Sequence, residues 1–213
     1  MNLAEMVQVA REDFLHDTQE PVFWSNAQIA RALNDALNDA VRRARLLVSE
    51  RTITVRGGRA VLDDDLIYIK RAIVDGADVR LGRVSVRDLD DHCAGWEHEF
   101  GEPRFFVADS ASRDFRLFPV PQQDVTVRLT VVREPVRLQN DADVPEIPAR
   151  FHPALIYGAC ARLFARPDTE TFDAERAAYH ERLFVDEFGK RSAAIDETWI
   201  HENYDAAAMQ GVF

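Results

Sequence analysis

The stretch that most restricts how this chain can fold is Asp143 to Asp168, DVPEIPARFHPALIYGACARLFARPD. Pro145 and Pro148 donate no backbone hydrogen bond and bias the residues before them toward extended backbone, so the chain enters this stretch from a strand and loop. Pro153 suits the first turn of a helix. Beyond it Leu155, Ile156, Ala159, Cys160, Leu163 and Phe164 recur at helical spacing. Their stripe is too broad for a surface helix, and the rest of the chain has to cover it. Gly158 and Ala161 are small enough to admit another backbone, although the glycine costs about 1 kcal/mol in helix propensity. No catalytic signature lies in this stretch.

The elements on either side follow from periodicity. Leu3, Met6, Val7, Ala10 and Phe14 share one face and predict an amphipathic helix over 3–15. Asp17 to Pro21 breaks that pattern. Ser25 and Gln28 then form a capping box, with Trp24 and Ile29 as a hydrophobic staple. The helix begun there is predicted from about Asn26 to about Val48. Ile29, Leu33, Ala36, Leu37, Ala40, Val41, Ala44 and Leu47 form its apolar face, and Asn34, Asp35, Asn38, Asp39, Arg42, Arg43 and Arg45 its solvated face. Asp39 and Arg43 can pair one turn apart.

After Glu50 the period becomes alternating. Thr52 to Val55 lead into a hairpin turn at Gly57-Gly58, and Leu66 to Val74 reads as a longer strand. Asp75-Gly76 turns it back into Ala77 to Leu81. Ser85 to Cys93 reads as a single helical turn, and strands follow at about 104–108, 115–118 and 125–133. Pro167-Asp168-Thr169 stops the apolar helix and offers a cap for another one through about Phe188, with Phe172, Tyr179, Leu183, Phe184 and Phe188 as its apolar residues. The expected class is α+β, a helical bundle of about four helices (1–50 and 145–190) with an inserted antiparallel β region (51–144) and an extended C-terminal tail (191–213).

A net charge of −11 argues against binding nucleic acid by neutralising phosphates, because that attraction needs basic residues facing the backbone. The apolar runs are too short for a membrane span, and the first residues lack the basic start and apolar core of a secretory signal, so cytoplasmic synthesis is expected. Cys93 and Cys160 are expected to be free thiols.

Two acidic clusters, Asp63-Asp64-Asp65 and Asp88 with Asp90 and Asp91, carry the alternative function, a metal-dependent hydrolase or nuclease, since hard cations take several oxygen ligands. Aspartate is equally a turn residue, and both clusters fall where turns are expected. The spacing of His92, Cys93 and His98 matches no zinc pattern. Neither a Gly-rich phosphate loop nor G-x-S-x-G occurs, so no catalytic residue, metal or cofactor is expected. A small-ligand module would need an apolar pocket lined by Trp96, Phe105 and Phe106.

Three segments carry a family resemblance: W-S-N-x-x-I-x-x-x-L-N-x-A over Trp24 to Ala36, G-E-P-R-F-F over Gly101 to Phe106, and P-E-I-P-x-x-F-H from Pro145 with Y-x-x-x-x-x-L ending at Leu163. The helix end from Tyr179 to Gly189 also fits. The chain resembles the head-tail adaptor (connector) proteins of short-tailed bacteriophages, of the tail-tubular type. That resemblance implies a structural virion protein, not an enzyme, in the neck or tail. It implies a dodecameric ring beneath the portal protein, joined to other tail or nozzle proteins, with DNA passing through the lumen without sequence-specific binding. No membrane enters this picture. On such a ring the function lies in surfaces. The candidates are Arg42, Arg43 and Arg45, which can pair across subunits, and the tail residues Trp199, Ile200, Tyr204, Met209 and Phe213, large apolar side chains of the kind that anchor interfaces. For the tail, a helix over about 193–209 folded on its own subunit is the competing expectation.

Overall fold

The computed structural model describes residues 1–76, 79–109, 113–167 and 170–191. Its class is α+β. Among the described residues the helices are α1 (Leu3–Val9), α2 (Asn26–Ala44), α3 (Val86–His92), α4 (His152–Phe164) and α5 (Ala174–Phe188). The strands are β1 (Val48–Val55), β2 (Arg59–Val61), β3 (Leu66–Val74), β4 (Val79–Arg80), β5 (Gly82–Arg83), β6 (Phe105–Asp109), β7 (Asp114–Phe118) and β8 (Val125–Arg133). One unit joins Met1–Leu47 to Glu134–Arg191, and Val48–Arg133 belongs to the other. None of the described helices is long and apolar enough to cross a membrane.

In the helical unit, α1 opens with a capping box between Asn2 and Glu5 and runs on as a π-helical stretch, Ala10–Leu15. The wider turn changes which side chain points inward. Leu15 is buried where a single amphipathic helix over 3–15 would bury Phe14, which is only half-buried. The predicted capping box starts α2, with Gln28 N donating to Ser25 Oγ at 3.3 Å and Ser25 N donating to Gln28 Oε1 at 2.8 Å. The helix ends at Ala44, short of the predicted Val48, because Arg45 takes the left-handed conformation (φ 50°) and Val48 is already paired in a strand.

Proline opens α4 as expected. The cap of α5 is Asp173, whose side chain accepts from Arg176 N at 2.9 Å, rather than Thr169, which lies outside the described residues. Ala177, His180, Phe184 and Phe188 form its buried side, while Phe172 and Tyr179 are exposed, contrary to the apolar reading. Three long helices therefore carry the packing where about four were expected, and the seven-residue α1 lies against α2 and α4.

Gly158 sets how closely those three helices meet. A Cβ there would stand 2.7 Å from two ring carbons of Phe184 on α5 and 2.9 Å from the Cβ of Ala36 on α2. Only a residue without a side chain lets α4 touch both neighbours at one level. Cys160, two residues on, is fully buried and free, and burial pushes its thiol up to about 12.

The other unit holds two four-stranded sheets, ordered β1-β8-β3-β4 and β2-β7-β6-β5. Among the described residues the strands named above pair antiparallel, except β5 with β6. At Gly57-Gly58 the expected turn is present, with Arg56 and Arg59 exchanging backbone bonds of 2.9 and 3.0 Å. Its arms then part: β1 pairs with β8 from Val48↔Val132 to Val55↔Val125, and β2 pairs with β7. The predicted hairpin is thus a crossover between sheets, because a turn fixes its own closure and not the longer pairing beyond it. A Ser85–Asp88 capping box extends the expected single turn into the seven-residue α3. Phe106 packs in a cluster with Leu62, Ile69, Phe115 and Leu129, whereas Trp96 and Phe105 pack with Leu89 and Phe118. The three aromatics proposed as pocket lining are therefore core, in two separate clusters.

The Gly158 contact predicts the sign of a substitution. Gly158→Ala gains about 1 kcal/mol of helix propensity, but overpacking a filled site costs about 1–3 kcal/mol. Thermal melting of Gly158→Ala should fall below that of the native chain, and Gly158→Val should fall further; an unchanged or raised Tm for both variants would mean that the three-helix contact is slack.

Candidate interaction surfaces

The three arginines near the end of α2 have different surroundings. Arg43 turns inward, its side chain 7% exposed. Its Nη2 donates to Asp39 Oδ2 at 2.8 Å and to Glu181 Oε1 at 3.0 Å, and its Nη1 to Gly189 O at 3.2 Å. From α4, Arg162 donates to the same Asp39 oxygen at 2.7 Å and to Gly158 O at 2.7 Å. Both guanidiniums lie on the Phe184 ring, 4.9 and 5.5 Å from its centroid. Burial works against the Asp39 charge, but hydrogen bonds and charges from Arg43 and Arg162 outweigh it and hold the carboxyl below its ordinary value. Burial likewise opposes the Arg43 charge, and the bonds to Asp39 and Glu181 raise its pKa nonetheless.

This corrects the solvated reading of Asp39 and Arg43. The i, i+4 pair forms as its spacing predicts, but on the side of α2 that packs against α4 and α5. Arg42 is exposed and pairs with Glu134. Arg45 is exposed at the left-handed residue that closes the helix. Trp199, Ile200, Tyr204, Met209 and Phe213 lie outside the described residues.

The acidic clusters have structural partners. Asp63 and Asp65 pair with Arg51 at 3.7 and 3.2 Å, and Asp64 pairs with Arg113. Asp88 caps α3, Asp90 accepts from Trp96 Nε1 at 2.8 Å, and Asp91 lies 3.8 Å from Arg87. His92 Nδ1 donates to Asp88 O at 2.8 Å. Among the described residues, no group of three or more His, Cys, Asp or Glu side chains converges as metal ligands would. The first cluster is divided between Arg51 and Arg113, and the second holds the start of α3 and the Trp96 indole.

Asp17 and Asn34 are among the buried polar residues that sequence reading missed. Asp17 is 3% exposed and accepts from Arg11 Nη1 at 2.7 Å, Phe23 N at 2.8 Å and Trp24 N at 3.0 Å, which fixes the loop into α2. Asn34 looks like a wet-face residue, yet it is buried and pairs with a backbone. Its Nδ2 donates to Leu138 O at 3.0 Å, and its Oδ1 accepts from Leu138 N at 2.8 Å. The only trace in the sequence is the L-N step inside the Trp24 to Ala36 pattern.

These bonds lay residues 137–143 along α2 as a strap. The N-terminus of α1 is tied to the same strap by Leu3 N to Asp143 O at 2.8 Å and Ala4 N to Asp141 O at 3.1 Å. Backbone bonds from Asn140 and Gln139 hold the Asp143 carboxyl below its ordinary value. Between α1, the first turns of α2 and the strap run two adjoining hollows of about 410 Å³ each, both lined by Leu3, Ala27, Ala30 and Gln139. Exposed aromatics are a second surface feature of this unit. Phe23 and Tyr179, 61% and 50% exposed, end a row of rings that runs inward through Trp24, Phe164 and His180. Burial, with the nearby Arg176 charge, lowers the His180 pKa, so the row is uncharged at neutral pH.

Two expected outcomes test the arginine assignments. Arg43→Glu puts a second carboxylate beside Asp39 and Glu181 and should cost about 3–5 kcal/mol, the scale of breaking a buried pair; Arg42→Glu at an exposed pair should change the melting of the isolated chain by no more than about 1 kcal/mol. Equal melting of the two variants would contradict the inward placement of Arg43. Because the Asp39 carboxyl titrates lower in the folded than in the unfolded chain, its stabilisation is present above the ordinary carboxylate range, about pH 4, and is lost as pH falls through the folded value. In urea unfolding, Asp39→Asn should be the weaker protein at pH 7, and the gap to the native chain should close below about pH 3. A gap that stays constant with pH would contradict this.

The family model described as SU10 adaptor protein matches residues 1–208, and the chain belongs to that family. No curated protein matches it. Membership makes the chain a structural adaptor of a bacteriophage virion that associates with other virion proteins, in agreement with the resemblance to head-tail adaptors.

Proposed function

We propose that this SU10 adaptor family member forms a dodecameric ring beneath the portal protein, joins the capsid to the tail or nozzle proteins, and surrounds the channel through which DNA leaves. The family match along almost the whole chain carries this reading. The net charge of −11 agrees with it in sign, since a lumen without attractive cations would not hold passing phosphates. DNA therefore moves through without sequence-specific binding. The protein is made in the host cytoplasm and ends in the neck of the virion, with no membrane step and no catalysis.

Two surfaces serve the assembly. Arg42 and Arg45 are the exposed members of the arginine group and pair with acidic residues of the adjacent copy, while Arg43 stays within its own helical unit. The segment Lys190 to Phe213, with Trp199, Ile200, Tyr204, Met209 and Phe213, holds each copy in the assembly. One large apolar side chain contributes about 1.5–3 kcal/mol when buried, so several together are enough to hold one copy against another.

Light scattering of the full chain, alone and mixed with its portal, reads this directly: the expected result is a ring-sized mass once the portal is present. Removing Asp196 to Phe213 should leave thermal melting unchanged and sharply weaken that assembly, and hydrogen exchange of the intact segment should slow on assembly. A chain that never exceeds the monomer mass with portal would overturn the ring, and a truncated chain that assembles at full affinity would overturn the role of the segment.

A further inference from the structure

We propose that the groove between α1, the first turns of α2 and the 137–143 strap is the seat of the C-terminal segment, residues 192–213, of the neighbouring copy. This rests on the ring reading and names the contact that would close it. The groove has a floor of small and aliphatic side chains, Leu3, Ala4, Val7, Ala27 and Ala30. Two adjoining hollows of about 410 Å³ each lie along that floor and share Leu3, Ala27, Ala30 and Gln139, so together they form an elongated seat. Helix dimensions explain the depth: Ala4, Ala27 and Ala30 leave room that longer side chains on α1 and α2 would fill.

Charge chooses the occupant. The rim carries Arg31 and Arg137, both exposed, against Asp141, while the nearby Asp143 carboxylate is taken up by Gln139 N and Asn140 N. Arg11, deeper in, is already bonded to Asp17 and Asn26. On a chain whose net charge is −11 such a basic rim is a local exception. Residues 192–213 carry Asp196, Glu197, Glu202 and Asp205 with no Lys or Arg, and set the bulky Ile195, Trp199, Ile200 and Tyr204 among those acids. An acidic segment with spaced large side chains complements a basic rim over an apolar floor.

The ring reading chooses the neighbour over the same copy, because a segment seated on its own copy would add no contact between subunits. Gly189, just past α5, is bonded to Arg43 near the C-terminal end of α2, whereas the groove lies at the N-terminal end of that helix. From Ala30 to Arg43 is about 20 Å along the axis, a span short enough for the segment to cover within one copy or between two. A donor at one end and an acceptor at the other make the contact heterologous, the kind that builds closed rings when the rotation closes.

The test uses the full chain with Trp199 or Tyr204 replaced by the photo-crosslinking residue p-benzoylphenylalanine. Equal amounts of isotopically light and heavy copies are assembled on the portal, irradiated, and digested for mass spectrometry. Cross-links from position 199 or 204 to peptides containing residues 3–8, 26–31 or 137–141, with half of them pairing light and heavy copies, are the expected result. Arg31→Glu with Arg137→Glu, both on exposed positions, should reduce those cross-links at least tenfold without lowering the Tm of the isolated chain. Cross-links confined to one isotope would place the segment in its own groove, and cross-links to the portal or elsewhere on the chain would give it another seat; either result, in a ring that still assembles, overturns this proposal and leaves the ring standing. Failure of any ring to form removes both.

Discussion

The contact on which the helical unit depends is the one made at Gly158. Because nothing projects from that position, the ring of Phe184 and the methyl group of Ala36 both reach the α4 backbone. The same level of the structure holds the Asp39, Arg43 and Arg162 cluster, whose two guanidiniums lie on Phe184. Close helix approach and ion pairing support one another here. The aromatic ring presses on the glycine, the cations lie on the ring, and the carboxylate compensates the cations. Asp39 is shared by Arg43 and Arg162, and Arg43 also reaches Glu181, so loss of one charge weakens the compensation of the remaining ones.

A second polar layer fixes the chain entering and leaving those helices. Asp17 gathers Arg11 and two backbone N–H groups ahead of α2, and Asn34 receives the strap through both atoms of its amide. Buried backbone groups have to be paired, and in segments with no sheet partner a side chain does the pairing. The groove beside α1 is a consequence of those two devices. The strap cannot drift away from α2 because Asn34 holds it, and α1 cannot slide along because its first N–H groups bond to the strap. The result is a polar-fixed, aromatic-packed helical unit that keeps its surfaces in constant relation.

In the β unit the decisive feature is the change of sheet at Gly57-Gly58. A tight turn between β1 and β2 passes the chain from the sheet centred on β8 to the one centred on β7. The Phe106, Phe115 and Leu129 cluster includes residues from both sheets. Aromatic residues that could have lined a ligand pocket are spent on that interior, and the aspartates that could have gathered a metal are spent on arginines, a cap and an indole N–H.

Local chemistry was determined by the sequence alone wherever the cause is local. The capping box at Ser25, the proline start of α4, the strands at 66–74 and 125–133, the exchange of helical for alternating period near residue 50, and the room required at Gly158 all rest on neighbours within a few residues or on a steric limit belonging to one residue type. The family resemblance could be stated from three such patterns. Tertiary structure alone decided matters set by distant partners: whether Arg43 points to water or to Glu181, whether Asn34 is wet or paired with Leu138, whether β2 follows β1 or joins β7, and whether an aspartate run is a ligand set or a row of separate partners. The physical reason is the same in each case. A polar side chain or a short strand carries unsatisfied bonding capacity but no address, and the address is supplied only when the chain returns from far along the sequence, 138 residues away for Arg43 and Glu181.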